Sequence, residues 1–470
     1  MKKRVLVIVM DGLRPDTISR ETMPFLCDLM DSGIRFESNY ASFPSKTRIA
    51  SAVLSTGCYP GRNGLMNNGM YLPELGEINT KHRDDLERLH LSSQGPILAV
   101  PTLAERLTKS GLKVALCTGF STGGTFLQDP NGFAECTVNH SFIHPEELKP
   151  VLRERFGDAP GQVVPDVGRN EYAVRVLTEY ILPEVDPDYA VLWLSEPDLA
   201  QHKHPIGSQT VMEALRLVDG WVKRVVEALE DLGMLGSTDL FLLSDHGFID
   251  KDFAVESLTE NTKAWLQQEK GLDAVVVNFN SIYIRSGKNE ALRQIIDFLQ
   301  QQPEIGPIFA QRPLDGVIPY ALLNLEHDRS PDLFFFPRWS NDPNGYGLAG
   351  MCRGYHANYH GGSSPYELRA TMIGVGPSFK SGAVIQHPTG VIDVVPTILH
   401  LFGQESREID GRVLYEALKD GPDHTDVAFD EFTYRSRRQA RTYSYEVYAN
   451  LARVGNTYYL REANGVSSLG

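Results

Sequence analysis

Cysteine is scarce in this sequence, and its few cysteines lack the spacing of a metal or disulfide motif. None forms a CxxC pair, which argues against a structural zinc knuckle, and their odd number argues against a disulfide framework. We therefore expect a cytoplasmic protein. The five cysteines are Cys27, Cys58, Cys117, Cys136 and Cys352.

Long apolar runs and an excess of positive charge are also missing. No apolar stretch has the length needed to span a bilayer. The first residues, MKKRVLVIVMDG, join basic residues to a short apolar run that Asp11 ends without a small-residue cleavage site, which favours a buried strand over a secretory signal. The net charge of −15 argues against a surface for duplex nucleic acid. We expect no membrane and no duplex nucleic acid as partners, and a homo-oligomer stays open.

Short apolar runs alternate with segments of helical period along most of the chain. This alternation predicts an α/β fold, in which helices flank a doubly wound, mostly parallel sheet. The predicted strands are residues 4–10, 113–117, 189–194, 240–243 and 370–375, and the clearest helices are 101–110, 171–182 and 211–232.

Two segments interrupt this alternation. Residues 69–94 are polar and are predicted as an inserted loop, whereas 249–346 hold their own strand at 274–284 and helix at 289–301. We expect the second segment to be a small α+β cap inserted into the core. Alternating apolar and polar residues near the end of the chain predict a hairpin. The expected domains are a core of 1–248 and 347–427, a cap of 249–346 and a hairpin extension of 428–470.

Carboxylate and imidazole side chains lie near the carboxyl ends of the predicted strands, where open α/β sheets bind ligands. Asp198 and His202 are four residues apart, so they share one face of a helix and suit a single ion. Three Asp with three His favour zinc, with manganese second. The six candidate metal ligands are Asp11, Asp198, His202, Asp245, His246 and His360.

Each candidate ligand also has an ordinary structural interpretation. An Asp at a strand end often caps the following helix, and the Asp-His-Gly sequence that begins at Asp245 is compatible with a simple turn. A buried His is often a satisfied core group. The joint pattern favours a metal site, because one edge of one sheet would gather all six side chains.

The segment FPSKTRIASAVLSTG supplies a candidate nucleophile. Its apolar spacing predicts a helix that begins after Pro44 and Ser45 and stops at Gly57. Thr47 would then lie at the N-terminus of a helix, where free N–H groups and the helix dipole favour a phosphate. A hydroxyl ionised by a metal at that position is a strong nucleophile at neutral pH. The alternative is a capped helix without chemistry.

These motifs together resemble the type I phosphodiesterase/nucleotide pyrophosphatase family of the alkaline phosphatase superfamily. The family's order is matched by VIVMDGLRPD, FPSKTRIASAVLSTGCYPGRNGLMNN, EPDLAQH, SDHGF and HGG. DVVPTILHLFG followed by DGRVL is also typical of the superfamily. The resemblance covers roughly residues 3–414 outside the predicted cap.

The resemblance implies a two-metal centre around Thr47, which would contact metal and act as the nucleophile. Asn68, the second Asn of LMNN, is similar to the family residue that donates to a non-bridging phosphoryl oxygen. A covalent phospho-threonine would form and then be hydrolysed. One ion would be held by Asp198, His202 and His360, and the other by Asp11, Asp245 and His246.

The residues after Thr47 depart from the family pattern. Where nucleotide pyrophosphatases have Phe-Pro-Asn-His, this chain has Arg-Ile-Ala-Ser from Arg48 to Ser51, so nucleotide specificity is not implied. Arg48 would bind a second negative group of the substrate, or lie solvated on its helix; both interpretations stay open. The sulfatase signature Cys-x-Pro-x-Arg is absent at Thr47.

The leading prediction is therefore a phosphodiesterase that acts on a small phosphorylated or phosphonate substrate. The alternatives on the same core are a phosphomonoesterase, a phosphonoacetate-type phosphonate hydrolase and a phosphomutase. A metal-binding protein without turnover is the alternative from a different class.

Overall fold

Strands and helices alternate along the chain in the computed structural model, which describes residues 2–93, 95–252, 257–269, 271–355 and 357–469. The strands within these ranges are β1 (Arg4–Met10), β2 (Ile34–Phe36), β3 (Asn39–Tyr40), β4 (Gly69–Leu72), β5 (Gly76–Asn79), β6 (Val114–Thr118), β7 (Cys136–Asn139), β8 (Ile143–His144), β9 (Tyr189–Leu194), β10 (Thr238–Leu243), β11 (Asp250–Lys251), β12 (Ala274–Val277), β13 (Ser281–Ile284), β14 (Ile305–Ala310), β15 (Ile318–Pro319), β16 (Leu333–Pro343), β17 (Ala349–Arg353), β18 (Met372–Val375), β19 (Ala383–Ile385), β20 (Thr389–Gly390), β21 (Asp430–Gln439), β22 (Tyr443–Val454) and β23 (Thr457–Leu469).

Helices connect most of these strands. The α-helices of the same ranges are α1 (Pro24–Ser32), α2 (Thr47–Thr56), α3 (Pro60–Asn63), α4 (Arg83–His90), α5 (Leu103–Lys109), α6 (Thr122–Gln128), α7 (Leu148–Phe156), α8 (Val167–Val176), α9 (Asp198–Lys203), α10 (Gln209–Asp231), α11 (Leu258–Gln268), α12 (Lys288–Gln300), α13 (Pro365–Leu368) and α14 (Val394–Leu401). A π-helical segment, Leu177–Val185, continues α8.

A nine-stranded sheet forms the centre of the fold, in the order β19-β2-β18-β10-β1-β9-β6-β7-β8. Its five central strands, β10, β1, β9, β6 and β7, pair in parallel. Antiparallel pairing occurs only towards the sides, where β18 pairs with β10 and β2, and β8 pairs with β7. The predicted mostly parallel α/β sheet is therefore confirmed.

Helices cover both faces of this sheet. Along β1, Val5, Val7 and Val9 pack into one hydrophobic cluster with residues of α2, α5 and α14. The alternate residues Leu6 and Ile8 pack into a second cluster with α1, α8 and α10. Successive side chains of a strand point to opposite faces, so a strand covered on both sides is apolar throughout. This burial explains the uninterrupted run RVLVIVM.

A second sheet, with the path β11-β17-β16-β13-β12 and β14 and β15 beside it, lies mainly within the predicted cap. It also includes β17, which begins after the predicted end of the cap at residue 346. β22 and β23 form an antiparallel hairpin, to which β21 adds a third strand. The division into core, cap and extension stays a prediction.

Two predicted elements differ from the structure. The loop predicted at 69–94 contains the hairpin β4–β5 and helix α4, whose buried Leu86 and Leu89 lie among charged residues; its last residue, Gln94, lies outside the described residues. The single strand predicted at 274–284 is two strands, because Asn278 and Phe279 adopt positive φ angles of 47° and 71° and turn the chain. In the part of the chain described here, no helix has the length and apolar character needed to cross a membrane.

Candidate active site

The parallel strands bring the candidate ligands to one edge of the central sheet. Asp11 follows β1, and Asp245 follows β10, which pairs with β1 in parallel. Asp198 begins α9, shortly after β9 on the other side of β1. The backbone N–H of Asp198 donates to the carbonyl of Asp11 at 3.0 Å, which joins two of these strand ends directly. His360 reaches the same edge from the loop before α13.

Asp198, His202 and His360 form the first cluster able to hold a metal ion. His202 Nε2 lies 3.3 Å from Asp198 Oδ2, and His360 Nε2 lies 3.5 Å from Asp198 Oδ1. Their ligand atoms therefore converge as the four-residue spacing of Asp198 and His202 predicted.

Asp11, Asp198 and His246 form the second cluster, so Asp198 belongs to both. Asp245 Oδ2 lies 3.1 Å from His246 Nε2 and joins the edge of this cluster. Five of the six candidate ligands thus belong to the two clusters, and Asp245 contacts them through His246. The resemblance assigned Asp198 to one ion only, and sequence spacing carries no sign of the shared position.

Each carboxylate keeps one oxygen unpartnered. Asp11 Oδ2 accepts from Trp193 Nε1 at 3.2 Å, and Asp245 Oδ1 accepts from the Gly12 N–H at 3.1 Å. Among the described residues, their other oxygens, like Asp198 Oδ1, are buried without a hydrogen-bond partner. Buried polar atoms are rarely left so, and cations would satisfy them.

The three histidines are oriented by backbone carbonyls. The Nδ1–H groups of His202, His246 and His360 donate to the carbonyls of Asn358, Gly247 and Ser45, at 3.1, 2.8 and 2.9 Å. Such bonds leave each Nε2 lone pair facing the clusters, as metal-binding histidines require.

Electrostatics also favour cations here. Burial, with the neighbouring carboxylates of Asp245 and Asp198, raises the pKa of Asp11 well above its usual value. Positive charge between these groups would remove that repulsion. The donor set therefore fits two divalent metal ions, with three imidazoles and three carboxylates for zinc or manganese.

Thr47 is the first residue of α2, and its side chain lies inside the ligand set. Its Oγ1 is 3.1 Å from His246 Nε2, and the residue is buried. The first N–H groups of a helix have no acceptors within the helix, which favours a phosphate beside Thr47. Gly57, with φ of 70°, ends the helix as its position predicted.

Lys46 fixes the backbone just before Thr47, a role that the sequence did not reveal. Its buried Nζ donates to the side-chain oxygens of Asn67, Asn278 and Asn280 at 2.7, 2.9 and 2.9 Å. The last two residues belong to the β12–β13 turn, more than 200 positions away in the chain. Lys46 stands in the polar run Ser-Lys-Thr-Arg, which gives no sign of this burial.

A cleft of about 410 Å³ opens beside Thr47 and carries both predicted substrate-binding residues, Asn68 and Arg48. Asn68 Oδ1 is buried without a hydrogen-bond partner in the described structure, and its side chain hydrogen-bonds Tyr359. The cleft is also lined by Lys81, His140, Arg169 and Tyr359, which sequence reasoning missed.

Residues 5–361 match the sequence model of the family described as type I phosphodiesterase/nucleotide pyrophosphatase. The chain belongs to this family. The assignment agrees with the order of motifs in the sequence and places the protein in the alkaline phosphatase superfamily.

Relatives of this phosphodiesterase family cover most of the chain at low identity. Mouse ectonucleotide pyrophosphatase/phosphodiesterase family member 1 is 24% identical over 400 residues, which are 81% of this chain and 38% of the relative. A Saccharomyces cerevisiae ectonucleotide pyrophosphatase/phosphodiesterase is 25% identical over 266 residues, 52% of this chain and 34% of the relative. The chain thus spans little more than a third of the length of these curated relatives.

Solved structures of the family share the fold. Murine ectonucleotide pyrophosphatase/phosphodiesterase 5 superposes with a TM-score of 0.65 at 16% identity, over 89% of this chain and all of that chain. A second structure of that protein, an inactive form in complex with AMP, matches equally well. At this identity the likeness concerns the fold alone.

Proposed function

We propose that the protein hydrolyses phosphate esters of small molecules, with diesters as the leading class, through a covalent phospho-threonine. Two divalent metal ions, zinc first and manganese second, complete the site. The chain spans only part of its relatives' length, so family membership alone does not establish its activity or its substrate.

One observation carries this proposal: the hydroxyl of Thr47 lies at a helix N-terminus and inside the ligand set. Its Oγ1 is 3.1 Å from His246 Nε2, and the cleft beside it has room for a small substrate. The unpartnered carboxylate oxygens of the ligand set favour a metal site over a purely structural role for Thr47. Asp198, His202 and His360 would hold one ion, and Asp11, Asp245 and His246 would hold the other, with Asp198 between them.

When bound, the two cations would favour ionised oxygen nucleophiles and neutralise charge on the phosphoryl group. Thr47 Oγ1 forms a bond to phosphorus as the bond to the leaving alcohol breaks, and that alcohol takes up a proton. Water then attacks phosphorus, the bond to Thr47 breaks, and the hydroxyl regains its proton. The amide of Asn68 donates to a non-bridging oxygen, and the N–H groups at the start of α2 face the same charge.

A comparison of reaction classes tests the substrate assignment. We expect the zinc-loaded protein to hydrolyse bis-p-nitrophenyl phosphate with a higher kcat/KM than p-nitrophenyl phosphate, phosphonoacetate or p-nitrophenyl sulfate. Thr47→Ala protein purified in parallel provides the background rate. A faster monoester or phosphonate reaction would move the protein to one of those hydrolase classes, and no turnover of any substrate would leave a metal-binding protein.

Asn68 provides a test of transition-state stabilisation. Asn68→Ala should lower kcat by about 10²–10³ while metal content stays unchanged, because one preorganised donor is lost. Asn68→Asp should be no better, since a carboxylate cannot donate. Asn63→Ala is the matched control: this buried Asn of the same segment binds the Cys58 carbonyl and the Leu65 N–H, so its loss should affect stability rather than rate. An unchanged kcat in Asn68→Ala would remove Asn68 from the site.

A cytoplasmic location is part of the same proposal. Within the described residues all five cysteines are unpaired, and four of them are buried. Thiols in that state are compatible with a reducing compartment.

A further inference from the structure

The cleft has a cationic wall that the hydrolysis of a simple ester does not use. We define the cationic wall as Arg48, Lys81 and Arg169, which all line the cleft beside Thr47. They come from the first turn of α2, the segment between β5 and α4, and the first turn of α8. Three positive side chains from three separate elements therefore meet at one cavity.

The donors of this wall are poorly satisfied. Arg48 Nε is buried without a hydrogen-bond partner among the described residues. Arg169 Nε donates to the Pro160 carbonyl at 3.5 Å and lies 3.9 Å from an oxygen of Asp166, both long contacts. For Lys81, no carboxylate of the described chain lies within ion-pair distance. A buried guanidinium nitrogen usually has a partner, so Arg48 Nε is the unsatisfied donor of the wall, whereas Lys81 is exposed to water.

Burial and mutual repulsion also disfavour positive charge on side chains of this part of the cleft. Desolvation, followed by the neighbouring Arg48 and Arg169, lowers the pKa of Lys81. Burial and then Arg169 lower the pKa of His140 to about 4, so this cleft residue is neutral near pH 7. Its Nδ1 is buried and has no partner in the described structure. An anion placed here would relieve the repulsion and meet unpartnered polar groups.

The negative charge that lines the cleft belongs to the candidate metal ligands. Asp11 and Asp198 are the carboxylates among the residues that line the cleft, and both belong to the metal-ligand clusters. The cavity therefore holds the ligand set and Thr47 together with the cationic wall, whose Arg48 directly follows Thr47 in the chain. A volume of about 410 Å³ suits a small molecule that contacts both the ligand set and the cationic wall.

We propose that the cationic wall binds a second anionic group of the substrate, a carboxylate or a phosphate, while the phosphorus under attack lies at Thr47. This inference rests on the proposed function, because it assigns the substrate class of the same site. Arg48 and Arg169 suit such a group because a guanidinium can bind a carboxylate or phosphate through two parallel hydrogen bonds. Lys81 adds charge at the exposed rim.

Calorimetry tests the wall without any need for turnover. Three ligands share one phosphonate and differ at the far end: propylphosphonate, 3-phosphonopropionate and propane-1,3-diphosphonate. We expect zinc-loaded protein to bind at least one of the two doubly anionic ligands about 10- to 100-fold more tightly than propylphosphonate, as charge-assisted hydrogen bonds allow. Which of the two binds more tightly identifies the second group as carboxylate or phosphate. Zinc content is measured after each titration.

Variants locate the effect. Lys81→Gln/Arg169→Gln should reduce the preference at least tenfold, whereas Arg175→Gln should keep it. Arg175 lies on the same helix as Arg169 but pairs with Glu179 at 3.2 Å and does not line the cleft. Equal affinity for all three ligands in the wild type, no binding of either doubly anionic ligand, or a preference that persists in the double variant would overturn the proposal.

Kinetics separate this proposal from the proposed function. Propyl p-nitrophenyl phosphate and 2-carboxyethyl p-nitrophenyl phosphate have the same chain length and differ by a methyl or a carboxylate at the end of the alkyl group. A calorimetric preference without nitrophenolate release from either ester would refute the hydrolase and keep the anion site. Release at equal kcat/KM from both esters, together with equal affinities in calorimetry, would keep the hydrolase and refute the anion site.

Discussion

Thr47→Ala is expected to abolish turnover, by a factor on the order of 10⁶ if loss of this nucleophile costs what it costs in other covalent enzymes. The hydroxyl lies at the N-terminus of α2 and 3.1 Å from Nε2 of the candidate ligand His246. Thr47→Ser should retain part of the activity, because only a methyl group is lost. Both variants should keep their fold and their metal content.

The matched control for Thr47 is Thr56→Ala at the other end of α2. It removes the same hydroxyl about 14 Å away along the helix, where Thr56 Oγ1 binds the Ala52 carbonyl at 2.6 Å. This control should retain activity. Acid quenching of wild-type protein during turnover should leave phosphate on a peptide that contains Thr47.

Stereochemistry provides an independent check of the covalent step. Two in-line displacements retain configuration at phosphorus, whereas direct attack by water inverts it. Inversion with a chiral thiophosphate diester would refute the phospho-threonine even if both metal clusters proved correct. Measurable turnover by Thr47→Ala would do the same.

Removal of metal should reduce turnover by a similar factor, and substitution of Asp198 should remove more metal than substitution of any other candidate ligand. A chelator should abolish hydrolysis, and zinc should restore it. Because Asp198 belongs to both clusters, Asp198→Ala should bind less than one equivalent of metal, whereas His202→Ala should still bind about one. The wild type should bind about two, as measured by mass spectrometry of metals after dialysis.

Asp231→Ala serves as the control for this series, since Asp231 is an exposed carboxylate at the end of α10. It should bind as much metal as the wild type. Full activity in metal-free wild type would exclude a metal centre. Two equivalents in Asp198→Ala would show instead that the clusters do not share this carboxylate.

Much of the central sheet could be predicted from sequence, because a strand that is buried on both faces has an apolar residue at almost every position. The run from Tyr189 to Leu194 is apolar throughout and forms β9 with the predicted bounds. The polar composition of 69–94 led to the wrong prediction of a loop. Helix α4 lies in this segment, with Leu86 and Leu89 buried and its charged residues on the outside. Eight residues are too few for a clear helical period.

Part of the candidate site could likewise be predicted from the sequence. Asp11, Asp198 and Asp245 could be placed from sequence because each lies at or just after the end of an identifiable strand, and parallel strands end at one edge. Thr47 could be placed because Gly57 and the apolar spacing defined its helix. These are local patterns, each readable within about a dozen residues.

Only the tertiary structure decided what surrounds these residues. It made Asp198 common to two clusters, tied Lys46 to the β12–β13 turn, and brought Lys81 and Arg169 to the wall that Arg48 begins. A charged side chain on a loop or helix surface has no periodic pattern that indicates its distant neighbours. The candidate ligands and the candidate nucleophile could thus be predicted from sequence alone, whereas their shared geometry and the positive charge near them depend on packing between distant segments.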